Sequence, residues 1–69
     1  MFITLTNAVP ALAGERILIN ADSIVTIHSK LAERDSGILE QVTYIHCPPH
    51  GTWEVQETLD QITELLAND

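Results

Sequence analysis

The residues best suited to chemistry lie together in one short segment, His46-Cys47-Pro48-Pro49-His50. Imidazole nitrogens and cysteine sulfur are ligands that zinc prefers, and imidazole also binds nickel. Successive side chains of a strand point to opposite faces, so His46 and Cys47 can share one ion only if the strand has already ended. Cys47 and His50, across the Pro-Pro turn, form the more suitable pair. The segment therefore gives a candidate zinc or nickel site at His46, Cys47 and His50.

The same segment has an alternative interpretation as an ordinary turn. A structural zinc ion needs four ligands, so His28 or Glu54 would have to complete the set, within one chain or across subunits. Without such a convergence, the polar side chains of the turn are merely exposed to solvent.

A cysteine near a histidine also suggests a nucleophile with its general base. The sequence has neither a glycine-rich oxyanion loop nor a third orienting group at recognisable spacing. A chain of 69 residues offers little volume for a concave pocket. We therefore predict that the protein is not an enzyme.

Strand-like segments are predicted to position these residues, because each is rich in β-branched or aromatic side chains and is bounded by turn-forming residues. They are Met1–Thr6, Arg16–Asn20, Ile24–Ser29, Ile38–Cys47 and Thr52–Val55. Asn7–Gly14 is predicted to be a turn or loop, and its apolar residues either fold back over the core or meet another subunit. Lys30–Gly37 is the most polar stretch, which favours a mobile hairpin loop.

The segment Gly51–Leu66 passes from a short strand into a capped amphipathic helix. An apolar stripe recurs at helical spacing. Its members are Leu59, Ile62, Leu65 and Leu66. Thr58, three residues before Gln61, forms a capping box: the Thr58 hydroxyl accepts from the Gln61 N–H, and the Gln61 side chain accepts from the Thr58 N–H. The helix is predicted to end at Ala67–Asn68.

These elements predict an α+β fold in a single domain over residues 1–69, with a small antiparallel sheet or meander of about five strands and one C-terminal helix packed on it. Trp53 is predicted to pack in the core beneath the helix. The predicted core consists of Ile17, Leu18, Ile19, Ile27, Ile45, Val55, Leu59, Ile62 and Leu65.

The core of so short a chain is marginal, and a lone Cys47 cannot form an internal disulfide. Assembly of several copies is therefore the expected remedy.

The net charge of −7 lies entirely in the second half of the chain. Acidic and basic residues balance through Arg34, whereas from Asp35 onward there are seven acidic residues and no Lys or Arg. A nucleic-acid binder neutralises phosphates with Lys and Arg, so direct binding to nucleic acid is not expected. The acidic half is either a solvated face that keeps the protein soluble or a surface for a basic partner.

The sequence also predicts a cytoplasmic protein without a membrane partner. No segment approaches the roughly 20 apolar residues of a membrane span. The first residues lack the basic start of a signal peptide, and polar residues interrupt any apolar run there.

Two stretches resemble the small flagellar FlbD-like family. Ile17–Ile27 (ILINADSIVTI) is similar to its strand–turn–strand, in which an apolar strand ends in Asn and an Asp-containing turn precedes an isoleucine-rich strand. Gly51–Leu66 (GTWEVQETLDQITELL) is similar to its closing segment of turn glycine, short strand, hydroxyl cap and terminal helix. Met1–Thr6 also suits the first strand of that family. The resemblance implies a similar fold and carries over no catalytic residue.

The leading hypothesis from the sequence is a non-enzymatic, homo-oligomeric protein-interaction module of the FlbD-like kind. Exposed sheet edges and the apolar segment Asn7–Gly14 would supply the surface for self-association. One alternative is an acidic inhibitor that mimics nucleic acid on a basic protein surface. Another is a metal-binding protein that uses the turn from His46 to His50.

Overall fold

The described residues of the chain form five strands, two short 3₁₀ turns and one helix. A computed structural model describes residues 1–34 and 36–67, and Asp35, Asn68 and Asp69 lie outside the described residues. In chain order the elements are β1 (Phe2–Thr6), β2 (Arg16–Asn20), β3 (Thr26–Glu33), β4 (Leu39–Cys47), β5 (Gly51–Val55) and α1 (Leu59–Ala67). The 3₁₀ turns are Pro10–Leu12 and Ala21–Ser23. The predicted α+β class is confirmed.

The strands form two antiparallel sheets and not the single meander that the sequence suggested. One sheet pairs β1 with β2, and the other has the order β3-β4-β5. An isolated bridge between Asn7 and Val55 connects the two sheets. The N–H of Ala8 donates to the carbonyl of Glu54, and the N–H of Gln56 donates to the carbonyl of Thr6, both at 2.9 Å. The sheets diverge because β1 meets β5 only at their ends, where the chain leaves each strand.

The core lies where the inner faces of both sheets meet the helix. Its buried members are Ile3, Leu5, Ile19, Ile45, Cys47, Val55 and Ile62, with Ile17, Ile24, Ile27, Trp53 and Leu66 packed against them. The core positions predicted for Ile19, Ile45, Val55 and Ile62 are confirmed. The partial burial of Trp53 against this cluster agrees with its predicted packing in the core.

Three predicted core residues are exposed instead. Leu18 is 66% exposed because it stands opposite Thr4, on the side of the β1–β2 sheet that faces away from Ile3 and Ile19. Leu59 and Leu65 of the apolar stripe are exposed, whereas Ile62 is buried and Leu66 packs against the core. Buried Ile3 and Leu5 take the places that these leucines were expected to fill.

The predicted capping box at the start of α1 is confirmed. The N–H of Gln61 donates to the Thr58 hydroxyl at 3.1 Å, and the N–H of Thr58 donates to the Gln61 side-chain oxygen at 2.9 Å. Ala67 is the last helical residue described, and the predicted end at Asn68 lies outside the described residues.

The predicted loop Lys30–Gly37 is wrong in its first half, because β3 continues to Glu33. Its residues pair with β4 from Lys30 opposite Val42 to Glu33 opposite Leu39. Their polarity misled the prediction, since an edge strand carries polar residues wherever its side chains reach solvent. The hairpin closes within the residues between Glu33 and Leu39, where Gly37 adopts a φ of 80°, and Asp35 of the predicted loop lies outside the described residues.

Candidate functional site

The candidate metal ligands lie at one end of β4 and point in different directions. Cys47 is buried in the core, whereas His46 is exposed on the opposite face, with its Nδ1 at 3.5 Å from the Thr52 hydroxyl. His50 follows the turn through Pro48 and Pro49, and its ring stacks on Trp53 with centroids 4.1 Å apart. Strand alternation therefore separates His46 from Cys47, as the spacing of the two residues anticipated.

The two residues considered as additional ligands lie elsewhere on the β3–β4–β5 sheet. His28 stacks on Tyr44 with ring centroids 5.5 Å apart. The carboxylate of Glu54 accepts hydrogen bonds from Tyr44 and Arg34. Among residues 1–34 and 36–67, no group of three or more His, Cys, Asp or Glu side chains is placed to hold a metal ion. A zinc or nickel site at His46, Cys47 and His50 stays a prediction.

The sulfur of Cys47 is poorly suited to act as a nucleophile. Burial raises the pKa of the Cys47 thiol, because a thiolate loses its hydration in the core. Nucleophilic cysteines have the opposite property, a lowered pKa and an accessible sulfur.

A polar cluster around Arg34 was not anticipated by the sequence. The Nη2 of Arg34 donates to the Glu54 carboxylate and to the Ala8 carbonyl, both at 3.1 Å, and its Nε donates to Glu40 at 3.3 Å. These bonds tie the closed end of the β3–β4 hairpin to β5 and to the loop after β1. The bond to Glu40, with help from Glu54, raises the pKa of Arg34.

Tyr44 belongs to the same cluster, since its hydroxyl donates to Glu54 at 3.0 Å. Burial raises the pKa of Tyr44, and the bond to the charged Glu54 raises it further. The cross-strand register that places Tyr44 opposite Glu54 could have indicated this bond. The contacts of Arg34 could not be predicted from the sequence, because the polarity of Lys30–Gly37 favours a mobile loop there.

The most unusual surface is the part of the β3–β4 hairpin that extends beyond β5. Because β5 pairs only with Thr43–Cys47, residues 30–33 and 39–42 have no third strand beside them among the described residues. We call these residues and the turn between them the distal hairpin. It carries three large apolar side chains in solvent: Leu31 is 57% exposed, Ile38 is 64% exposed and Leu39 is 58% exposed.

The inner face of the distal hairpin continues into an open groove of about 340 Å³ at the start of the helix. The groove is lined by Ser29, Gln41, Thr43, Gln56, Thr58, Leu59 and Asp60. Gln41 donates to the Ser29 hydroxyl at 2.6 Å, and the Thr43 hydroxyl donates to the Glu57 carbonyl at 2.6 Å. Gln41 and Thr43 are thereby bonded within the fold, whereas exposed Leu59 and Asp60 line the same groove.

Comparison of the chain with protein-family models, with curated proteins and with solved structures finds no match. In the part of the chain that the structure describes, no helix has both the length and the apolar character needed to cross a membrane.

Proposed function

We propose that the protein is a small, non-enzymatic homo-oligomeric interaction module that associates through its distal hairpin. The observation that carries this proposal is the exposure of Leu31 and Leu39 on one face of a two-stranded extension, with Ile38 exposed in the adjoining turn. Contiguous apolar patches are uncommon on monomeric soluble proteins and mark interaction sites when they occur.

The energetics of the distal hairpin support association. A two-stranded ribbon is marginally stable in water by itself and gains stability from a further strand or a covering surface. Removing apolar surface from water contributes about 25 cal/mol per Å², or about 1.5–3 kcal/mol for a fully buried leucine or isoleucine. A second copy of the chain that pairs with the hairpin can supply such cover to Leu31.

Two further features fit this class of protein. The buried thiol of Cys47, with its raised pKa, is unsuited to covalent catalysis, which favours the non-enzymatic part of the proposal. The stretches Ile17–Ile27 and Gly51–Leu66, on which the resemblance to the FlbD-like family rests, form the elements which that resemblance implies. We also propose that the chain is a member of that family and is cytoplasmic.

The second candidate is an acidic inhibitor that occupies a basic protein surface, and the net charge of −7 favours it. Glu54 accepts hydrogen bonds from Tyr44 and Arg34, and Glu57 accepts two from Thr6. These two carboxylates are therefore engaged within the fold. Asp60 and Glu64 on the helix are exposed and are the carboxylates that a basic partner would meet. The partner is a different protein in this case, so self-association is not required.

Sedimentation equilibrium at low and high salt separates the two candidates. Salt screens the repulsion between two acidic copies, so apolar self-association persists or strengthens as salt rises. A complex between the acidic chain and a basic protein weakens under the same change. A chain that remains monomeric at every concentration and salt level would contradict self-association.

A further inference from the structure

The outer edge of β3 has no strand beside it among the described residues. β3 runs from Thr26 to Glu33 and pairs with β4 on one side, and no described strand pairs with it on the other side. It contains no proline to interrupt backbone pairing, and its one lysine, Lys30, extends over the ring of Tyr44. The edge therefore offers an uninterrupted set of backbone donors and acceptors.

The alternation of hydrogen bonds along the β3–β4 hairpin shows which residues of β3 direct their backbone groups to this edge. The N–H of Arg34 donates to the carbonyl of Ile38 at 2.9 Å, one step beyond the register pair Glu33–Leu39. Bonded and non-bonded positions alternate in an antiparallel pair, so even-numbered β3 residues bond β4. The N–H and C=O groups of the odd-numbered residues point to the free edge. These residues are Ile27, Ser29, Leu31 and Glu33.

From these observations we infer that two copies of the chain join antiparallel through their β3 edges, with Leu31 on the two-fold axis. This inference rests on the proposed function and adds the strand that forms the interface, the two-fold symmetry of the dimer and the register of the paired strands. Leu31 then lies directly opposite Leu31 of the second copy, and their apolar side chains meet on the inner face. The two-stranded distal hairpins become one continuous four-stranded layer, which adds a paired strand to the open edge of each.

Charge and side-chain chemistry favour this register over its neighbours. Ser29 stands opposite Glu33 of the second copy, so its hydroxyl can donate to that carboxylate, and the symmetry repeats the bond. Moving the axis to Lys30 places two lysines opposite each other, and moving it to Ala32 places Lys30 opposite Arg34. Like charges directly opposite are destabilising in a sheet.

Moving the axis the other way, to Ser29, is also less favourable. That register separates the two copies of Leu31. It also brings the second copy towards the start of the helix, where Leu59 lines the groove beside Ser29. The axis at Leu31 lies beyond the helix and leaves that groove open. In the register with the axis at Leu31, His28 stands opposite Arg34 of the second copy, whose guanidinium is already paired with Glu40 and Glu54.

Disulfide cross-linking of single-cysteine additions tests this arrangement. Opposed residues of a hydrogen-bonded antiparallel pair have Cα atoms about 5.5 Å apart, within the range of about 4.4–6.8 Å that disulfides span. Leu31→Cys should therefore cross-link to itself under mild oxidation. Ser29→Cys and Glu33→Cys should not cross-link separately and should do so when the two variants are mixed. Unmodified protein is the control, because its Cys47 is buried.

The outcomes separate this inference from the proposed function. An oligomer by mass in which Leu31→Cys does not cross-link, or in which Ser29→Cys cross-links to itself, would overturn the β3 register and leave self-association standing. A monomeric mass would overturn both the β3 register and self-association.

Amide exchange of unmodified protein gives a second test without any variant. The amides of Ser29, Leu31 and Glu33 should be protected in concentrated samples and exchange rapidly after dilution, and protection in dilute monomeric protein would contradict the pairing.

Discussion

Thr6 and Glu57 lie 51 positions apart and are joined by two hydrogen bonds. The backbone N–H and the hydroxyl of Thr6 donate to the two carboxylate oxygens of Glu57, at 2.9 and 2.8 Å. The bonds fasten the end of β1 to the segment between β5 and the helix. Glu57 therefore links the two sheets at the point where their backbone pairing ends.

Glu57→Ala should lower the free energy of unfolding by about 2–3 kcal/mol, because hydrogen bonds to a charged group contribute about 1.5–3 kcal/mol and the two bonds share one carboxylate. Urea denaturation monitored by the fluorescence of Trp53 measures the change. The matched control is Glu64→Ala, which removes the same charge from an exposed helix position and should change stability by less than about 0.5 kcal/mol. Equal effects of the two variants would contradict the role given to Glu57.

Ile62→Ala should be the most damaging substitution in the helix. Ile62 is 1% exposed and its removal leaves a cavity in the core, which costs about 2–5 kcal/mol. Leu65 is 40% exposed, so Leu65→Ala should cost about 1 kcal/mol or less. Thermal unfolding followed by circular dichroism distinguishes the two. A protein that kept its full stability after Ile62→Ala would show that the helix does not close the core.

Tyr44 is the only tyrosine, so ultraviolet titration of phenolate absorbance reports its pKa alone. Burial and the bond to Glu54 should place this pKa above the ordinary value of 10.0. Glu54→Gln should lower the pKa without returning it to 10.0, because burial is the larger cause. Glu64→Gln is the control and should leave the pKa of Tyr44 unchanged.

The raised pKa of Tyr44 means that the folded protein holds this proton more tightly than the unfolded chain. The stability associated with Tyr44 is therefore complete below about pH 10 and is lost as pH rises through the folded pKa.

Cys47 should resist alkylation in the native protein. Its thiol is buried and its pKa is raised, so both access and thiolate content are low. Iodoacetamide should modify Cys47 rapidly in urea and only through unfolding in native buffer, as followed by mass spectrometry. Fast modification of the folded protein at neutral pH would mean that Cys47 is exposed and partly thiolate, and would reopen its interpretation as a nucleophile.

Local patterns predicted the local parts of this fold. The capping box of Thr58 and Gln61 and the burial of Ile62 depend on residues within one or two helical turns, and both were evident in the sequence. The strands β1, β2, β4 and β5 began and ended within one residue of the predicted bounds. Alternation and turn residues determine such bounds without reference to the rest of the chain.

Features that depend on distant partners could not be predicted in the same way. Leu18 is as apolar as its neighbours Ile17 and Ile19, and only the β1–β2 register decides that it faces solvent. The polar end of β3 is a strand because β4 pairs with it, and that hairpin places Arg34 beside Glu40 and Glu54. The distal hairpin was missed for the same reason.

The most direct test is the molar mass of the protein by light scattering, with and without a chelator, across a concentration series. Self-association through the distal hairpin predicts a mass that approaches twice the 7.6 kDa chain mass and is unaffected by the chelator. Leu31→Lys should return the mass to 7.6 kDa, while Leu18→Lys, at a similarly exposed position on β2, should leave the dimer intact. A dimer that dissociates when the chelator is added would instead attribute assembly to a metal held at the turn from His46 to His50. A mass of 7.6 kDa under every condition would contradict the homo-oligomer altogether.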